Sequence, residues 1–231
     1  MSTIVFAGPS VFGLNQDTFD ALEFRPPAAA GDILMAVKQG VRRIGLIDGF
    51  FGNYAAVWHK EILYAISEGV AIAGAASMGA LRAAECEAFG MVGVGEVFQA
   101  YRNGERSSDA DVAVTHAPPE LGYRPVTIAL VDAEATIESM DSILDQREMS
   151  RLLAAARQLH FSKRTWCSTV SAAGLPPVMA TLLAESIVSV KKADALSLLT
   201  MLQRGELAPR PSNWLFQDTL FFRNMANAAA R

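Results

Sequence analysis

Only two cysteines, Cys86 and Cys167, occur in the 231 residues, far apart and outside any C-x-x-C pair. That rules out a disulfide framework and leads us to expect a reduced, cytoplasmic protein with both thiols buried as small hydrophobes. Charge is scarce as well. Charged residues are 19% of the chain and the formal net charge is -4. With no block of like charge, the electrostatic footprint of a nucleic-acid or anionic-membrane binder is missing. No run approaches the roughly 18 apolar residues of a membrane span. The opening "MSTIVFAGPS" lacks the basic-then-apolar order of a secretion signal. No internal repeat appears at solenoid periods.

What is present is apolar. Hydrophobic residues make up 51% of the chain, enough for a sizeable core. Three short apolar runs in the first third, "TIVFAGPS", "RRIGLIDG" and "VAIAGAAS", end in Gly or Ser. Each is followed by a stretch of helical spacing, "GDILMAVKQG", "AAVWHKEILYAISEG" and "MGALRAAECEAFG", closed by a glycine that reads as a helix stop. Continuous apolar strands alternating with helices predict βαβ units and a parallel sheet. The expected fold over 1–130 is therefore a doubly wound, mainly parallel, Rossmann-like α/β core. "VGEVFQAYRNG" adds a short helix, with Val97 and Tyr101 at i, i+4. From about Asp132 helical spacing takes over, and 131–231 is expected to form a C-terminal helical lobe. Its tail, Trp214 to Phe222, is crowded with large apolar groups. These pack on the core or offer a contact surface, a homo-oligomeric one included.

One joint in the chain stands out. In Ala75-Ala76-Ser77-Met78-Gly79 a hydroxyl sits among small residues at the end of the third run. The pattern A-x-S-x-G is one methyl from the nucleophile elbow, where small neighbours permit a sharp strand-to-helix turn. The amides of Met78 and Gly79 would then line an anion or oxyanion site. The plainer reading is a helix cap, a position serine favours. A serine nucleophile needs a base. The candidates are His59 in "VWHKEIL", one turn into its helix at the edge of the buried face, Lys60 beside it, and His116. Lys60 and Glu61 otherwise read as a solvated face. Asp48, in "IDGFF", ends the second strand, next to Ser77 if the second and third strands are neighbours, although Asp-Gly is also a good turn. "GPSVFG" offers Gly8, Ser10 and Gly13 as an anion loop. It is neither a Walker A motif nor G-x-G-x-x-G. Gly93-x-Gly95 follows a helix instead of a strand, the wrong context for a dinucleotide fingerprint. The spacing of Asp109, Asp111 and His116 matches no zinc or calcium loop, so neither metal nor cofactor is expected.

Six segments in order, "GDIL", "IGLIDGFF", "AVWHKEIL", "GAASMGALRAAE", "GMVGVGEVFQAYRNG" and "VAVTHAPPELGY", resemble the TfuA-like family over about residues 30–130. The C-terminal helical lobe carries no such motif. One departure is "SSDADVAV", which keeps only Asp109 and Asp111 where the family has an acidic run. The resemblance implies a partner of YcaO enzymes in forming backbone thioamides in ribosomally made peptides. In that setting it implies release of sulfide from a thiocarboxylated, ubiquitin-like sulfur carrier, with the precursor peptide met through YcaO. By the same resemblance the polar residues to watch are Asp48, His59, Lys60, Ser77, Arg82, Glu85 and His116. Gly8, Ser10, Gly74, Met78, Gly79, Arg82 and Glu85 are the expected substrate contacts. Two expectations stand side by side: a thiocarboxylate hydrolase, and a non-catalytic module that docks or activates YcaO.

Overall fold

A computed structural model describes residues 2–52, 54–210 and 213–228. In chain order the elements are β1 (Thr3–Phe6), β2 (Glu23–Arg25), α1 (Asp32–Lys38), β3 (Arg43–Leu46), α2 (His59–Ser67), β4 (Ala71–Ala75), α3 (Met78–Cys86), β5 (Val92–Val94) and α4 (Glu96–Arg102). Helices follow: α5 (Leu130–Glu138), α6 (Gln146–Gln158), α7 (Trp166–Ala172), α8 (Val178–Glu185), α9 (Val190–Gln203) and α10 (Leu220–Ala228). The five strands form one all-parallel sheet in the order β2-β1-β3-β4-β5. The doubly wound α/β fold is thus present, with the helical segment after it.

The three expected strands form the centre of the sheet, because a parallel strand covered on both faces must be apolar throughout. The two edge strands, β2 and β5, have three residues each and are only partly buried, so no continuous apolar run announces them. "GMVGVGEVF" is corrected here: Val92–Val94 is a strand and Gly95 opens α4.

Residues alternate across the sheet. Ile4, Ile44, Leu46 and Ile72 face α1, α2 and α3, meeting Ile33, Ile62, Ile66, Ala80 and Ala83 in one buried cluster. Val5, Ile47, Ala71, Ala73 and Ala75 face the other way, onto Ala195, Leu198, Leu199 and Leu202 of α9. Small residues on that face bring α9 close: a Cβ on Gly45 would lie 2.6 Å from Leu202 Cδ1. The second layer of the sandwich therefore comes from late in the chain. Helices α5 to α8 bury a third cluster around Ile137, Leu152, Trp166 and Leu183.

Three local expectations change. His59 is the first residue of α2, not one turn inside it. Glu61 is fully buried, and its carboxylate accepts from the amides of Gly31 (3.0 Å) and Trp58 (2.9 Å), tying the starts of α1 and α2 together. Burial raises its pKa, and those amides pull the other way. Cys86 is buried, its thiol pushed up to about 12 by desolvation, while Cys167 is exposed.

The tail splits between the two readings. Trp214 Nε1 donates to the Phe89 carbonyl (3.0 Å), and Phe222, 5% exposed, packs with Phe216 against Tyr64. Leu215, Leu220 and Phe221 stay exposed.

Candidate functional site

The strand order places the topological switch point between β1 and β3, where a doubly wound sheet opens a crevice beyond its strand ends. Asp48 stands in the loop after β3 at that point, 2% exposed. Its Oδ2 accepts from the amides of Gly8 (2.8 Å) and Ser10 (3.0 Å), and its Oδ1 from the Ser10 hydroxyl (2.7 Å). The anion loop read in "GPSVFG" thus closes on a carboxylate of the same chain. Gly8 and Ser10 hold Asp48 in place.

The β4–α3 joint is as sharp as the small residues imply. Ala76 takes φ +66°, and the Ser77 amide donates to the Ala75 carbonyl across it (2.7 Å). This is a γ-turn with positive central φ, a strained form. The strained residue is Ala76, one before the serine. Ser77 occupies the cap position of α3, but its hydroxyl makes no capping bond, so the cap reading fails. The Gly79 amide donates to the Ile47 carbonyl (3.1 Å), which removes it from any oxyanion site. Among the described residues the Met78 amide has no such partner.

The glycines at this joint serve packing. A Cβ on Gly79 would lie 1.7 Å from the Leu46 carbonyl oxygen, and one on Gly74 would lie 2.0 Å from the Gly79 carbonyl. Helix α3 therefore rests backbone to backbone on β3 and β4, and this holds Ser77 fast at the crevice floor.

His116 arrives from the segment after α4. That segment is pinned by the Thr115 amide donating to Thr127 Oγ1 (2.7 Å) and by a bridge to Pro125. The Nδ1 of His116 lies 2.9 Å from the Ala117 carbonyl. A neutral ring that donates there carries its lone pair on Nε2, the form a general base needs. The ring packs against Phe50 and Tyr123.

Asp48, Ser77 and His116 line one cavity of about 60 Å³, walled by Phe50, Phe51 and Phe161. That volume admits a reacting carbonyl and a water or two, not a whole ligand. A cleft of about 620 Å³ shares Phe51 with it, and Met78, Arg82, Glu85 and Asp109 also line that cleft.

The other expected residues stand apart from the cavity. His59 Nε2 lies 2.8 Å from Glu85 Oε2, and Arg82 Nη1 donates to the same oxygen (2.6 Å). Burial would raise the Glu85 pKa, but hydrogen bonds from His59 and Arg82 hold it below the usual carboxylate range. Lys60 Nζ sits 4.8 Å above the Phe216 ring. Asp111 pairs with Arg106 (3.3 Å). Among the described residues no group of three His, Cys, Asp or Glu side chains is placed to hold a metal.

Sequence reasoning missed the aromatic wall, notably Phe161 from the 131–231 segment, and a buried lysine, Lys191. Lys191 is 3% exposed, with Nζ donating to the Val112 carbonyl (2.6 Å). No local pattern marks either one, because tertiary contacts alone bring Phe161 to the cavity and Lys191 to the Val112 carbonyl.

The fold and cavity define a doubly wound α/β protein with serine, histidine and aspartate gathered at its switch point. The chain belongs to the TfuA-like family, whose model matches residues 48–165, just over half of the sequence. Membership is consistent with an accessory role alongside a YcaO enzyme. No curated protein matches the chain. Among the described residues no helix is long and apolar enough to cross a membrane.

Proposed function

We propose that this protein supports peptide backbone thioamidation by a YcaO enzyme, hydrolysing the thiocarboxylated C-terminus of a ubiquitin-like sulfur carrier to release sulfide. The observation that carries the reading is the meeting of an uncapped Ser77 hydroxyl with His116 and Asp48 in one small cavity. The Ser77 oxygen attacks the thioacid carbonyl while His116 Nε2 takes its proton. The protonated His116 passes that proton to the departing sulfur, the carbon–sulfur bond breaks, hydrosulfide leaves, and an acyl-serine remains. Water then attacks that ester, restoring the serine and giving a carboxylate. Asp48, fixed by Gly8 and Ser10, keeps the polar side of the cavity charged and oriented. The Met78 amide is the donor left for the oxyanion, since the Gly79 amide is taken. The cleft beside the cavity, lined by Met78, Arg82 and Glu85, is the approach for the carrier's terminus. The precursor peptide engages YcaO, not this site.

The test is to give the isolated protein a thiocarboxylated carrier and measure sulfide. Release without YcaO, lost in Ser77→Ala and lowered at least tenfold in His116→Gln, is the expected result. A His59→Ala chain keeps its activity, because His59 is bound to Glu85 outside the cavity. Wild-type release from Ser77→Ala refutes the nucleophile.

A second reading rests on the exposed Leu215, Leu220 and Phe221: a docking or activating module for YcaO with no chemistry of its own. It predicts carrier or YcaO binding with no sulfide formed by the isolated protein.

A further inference from the structure

The cavity has a charged support beneath it. Lys191 lies near the start of α9, a helix that packs over the Pro9–Val11 turn which, with Gly8, cradles Asp48. Its amide is held by Asp132 Oδ1 (3.1 Å), and Asp132 Oδ2 accepts from the Ser189 hydroxyl (3.1 Å). Its side chain runs into the interior, where Nζ reaches the Val112 carbonyl (2.6 Å). Val112 begins the stretch whose next members, Val114 and His116, line the cavity. An ammonium has three donors, and among the described residues only one is used here. A buried cation with a single neutral partner is costly unless nearby carboxylates balance it. Desolvation lowers the Lys191 pKa, while the charges of Asp48 and Asp132 raise it.

We propose that Lys191 is a positioning residue of this cavity: its ammonium tethers the Val112 carbonyl at the root of the segment carrying His116, and it supplies the counter-charge to Asp48. A late helix thereby sets the geometry of a site whose polar members, Asp48, Ser77 and His116, all precede it by more than 70 residues in the chain. The proposal rests on the cavity as the site, but not on which reaction occurs there.

The experiment uses the full chain as wild type, Lys191→Met, Asp48→Asn and the double variant, with Lys192→Met as control. Urea unfolding gives an equilibrium constant for each. Lys191→Met is expected to raise the unfolding constant at least tenfold. The double variant's increase is expected to fall at least tenfold short of the product of the single effects, since removing both charges leaves neither stranded. In parallel, the His116 imidazole proton resonance, assigned by its loss in His116→Gln, shifts in Lys191→Met and stays in place in Lys192→Met. A Lys191→Met chain that does not fold counts for the proposal only if the double variant folds. Multiplicative single effects, or an unmoved His116 resonance in a folded Lys191→Met chain, overturn it. Neither readout needs sulfide release, so the failure of the proposed reaction would leave this result standing.

Discussion

Gly79→Ala sets two physical effects against each other. On helix propensity alone the substitution should stabilise α3 by up to about 1 kcal/mol, since alanine is the better helix former. The contact geometry says the opposite. The added Cβ would fall 1.7 Å from the Leu46 oxygen, 2.6 Å from the Leu46 carbonyl carbon and 3.2 Å from the Ile47 nitrogen. All three are backbone atoms of the sheet, so no side chain can rotate away. An ordinary contact near ~3.5 Å requires α3 to retreat by about 1.8 Å. That retreat breaks the Gly79 amide to Ile47 carbonyl bond, leaving buried groups unpaired at about 1–3 kcal/mol. It also opens on the order of 100 Å³ between α3 and β4, about 2.4 kcal/mol more. The net expectation is a loss of about 3–4 kcal/mol, or roughly 10 °C in Tm for a chain of this size. Thermal and urea melts followed by circular dichroism and tryptophan fluorescence measure it. An unchanged or higher Tm would refute the claim that this glycine exists for backbone contact.

Ser77→Ala should change stability by less than about 0.5 kcal/mol, below the ~0.5–2 kcal/mol of a lost cap, because no capping bond exists to lose; a urea melt decides, and a larger loss would restore the capping role. Asp194, on α9, accepts from the amides of Glu96 (2.8 Å) and Val97 (2.8 Å) at the start of α4, and burial pushes its pKa up to about 6 despite those bonds. With the folded pKa above the unfolded 3.8, the native state binds the proton more tightly, so the stability this group contributes falls as pH rises from about 4 to 6. Wild type should lose on the order of 3 kcal/mol relative to Asp194→Asn across that window, measured by urea melts at several pH values; parallel curves would contradict the sign. Trp214→Ala should cost about 2 kcal/mol and speed proteolysis after residue 205, since the indole bond to Phe89 anchors the tail; unchanged cleavage would show the tail held elsewhere.

Much of the fold was legible because burial on both faces forces a parallel strand to be apolar from end to end, and "TIVF", "RIGL" and "AIAGA" carry that mark. The helix stops were equally plain, with Gly40, Gly69 and Gly90 all at positive φ. Ser77 at the strand-to-helix joint and Asp48 at a strand end followed from the same logic, and the order of six motifs pointed to the family. What the chain could not disclose was which residues meet. His59 lies nearer to Ser77 in sequence than His116 does, yet the face of α2 it occupies turns it to Glu85 on α3. His116 reaches the cavity through a segment held by Thr127 and Lys191, contacts made across the chain. Nor could composition say whether glycines beside a serine admit a ligand or a neighbouring backbone; the approach of Gly79 to Leu46 decided for the backbone. The second face of the sheet was hidden for the same reason. An apolar helical stripe states that it must be covered, and only tertiary packing chose α9 to lie on Ala71, Ala73 and Ala75 and carry Lys191 beneath the site.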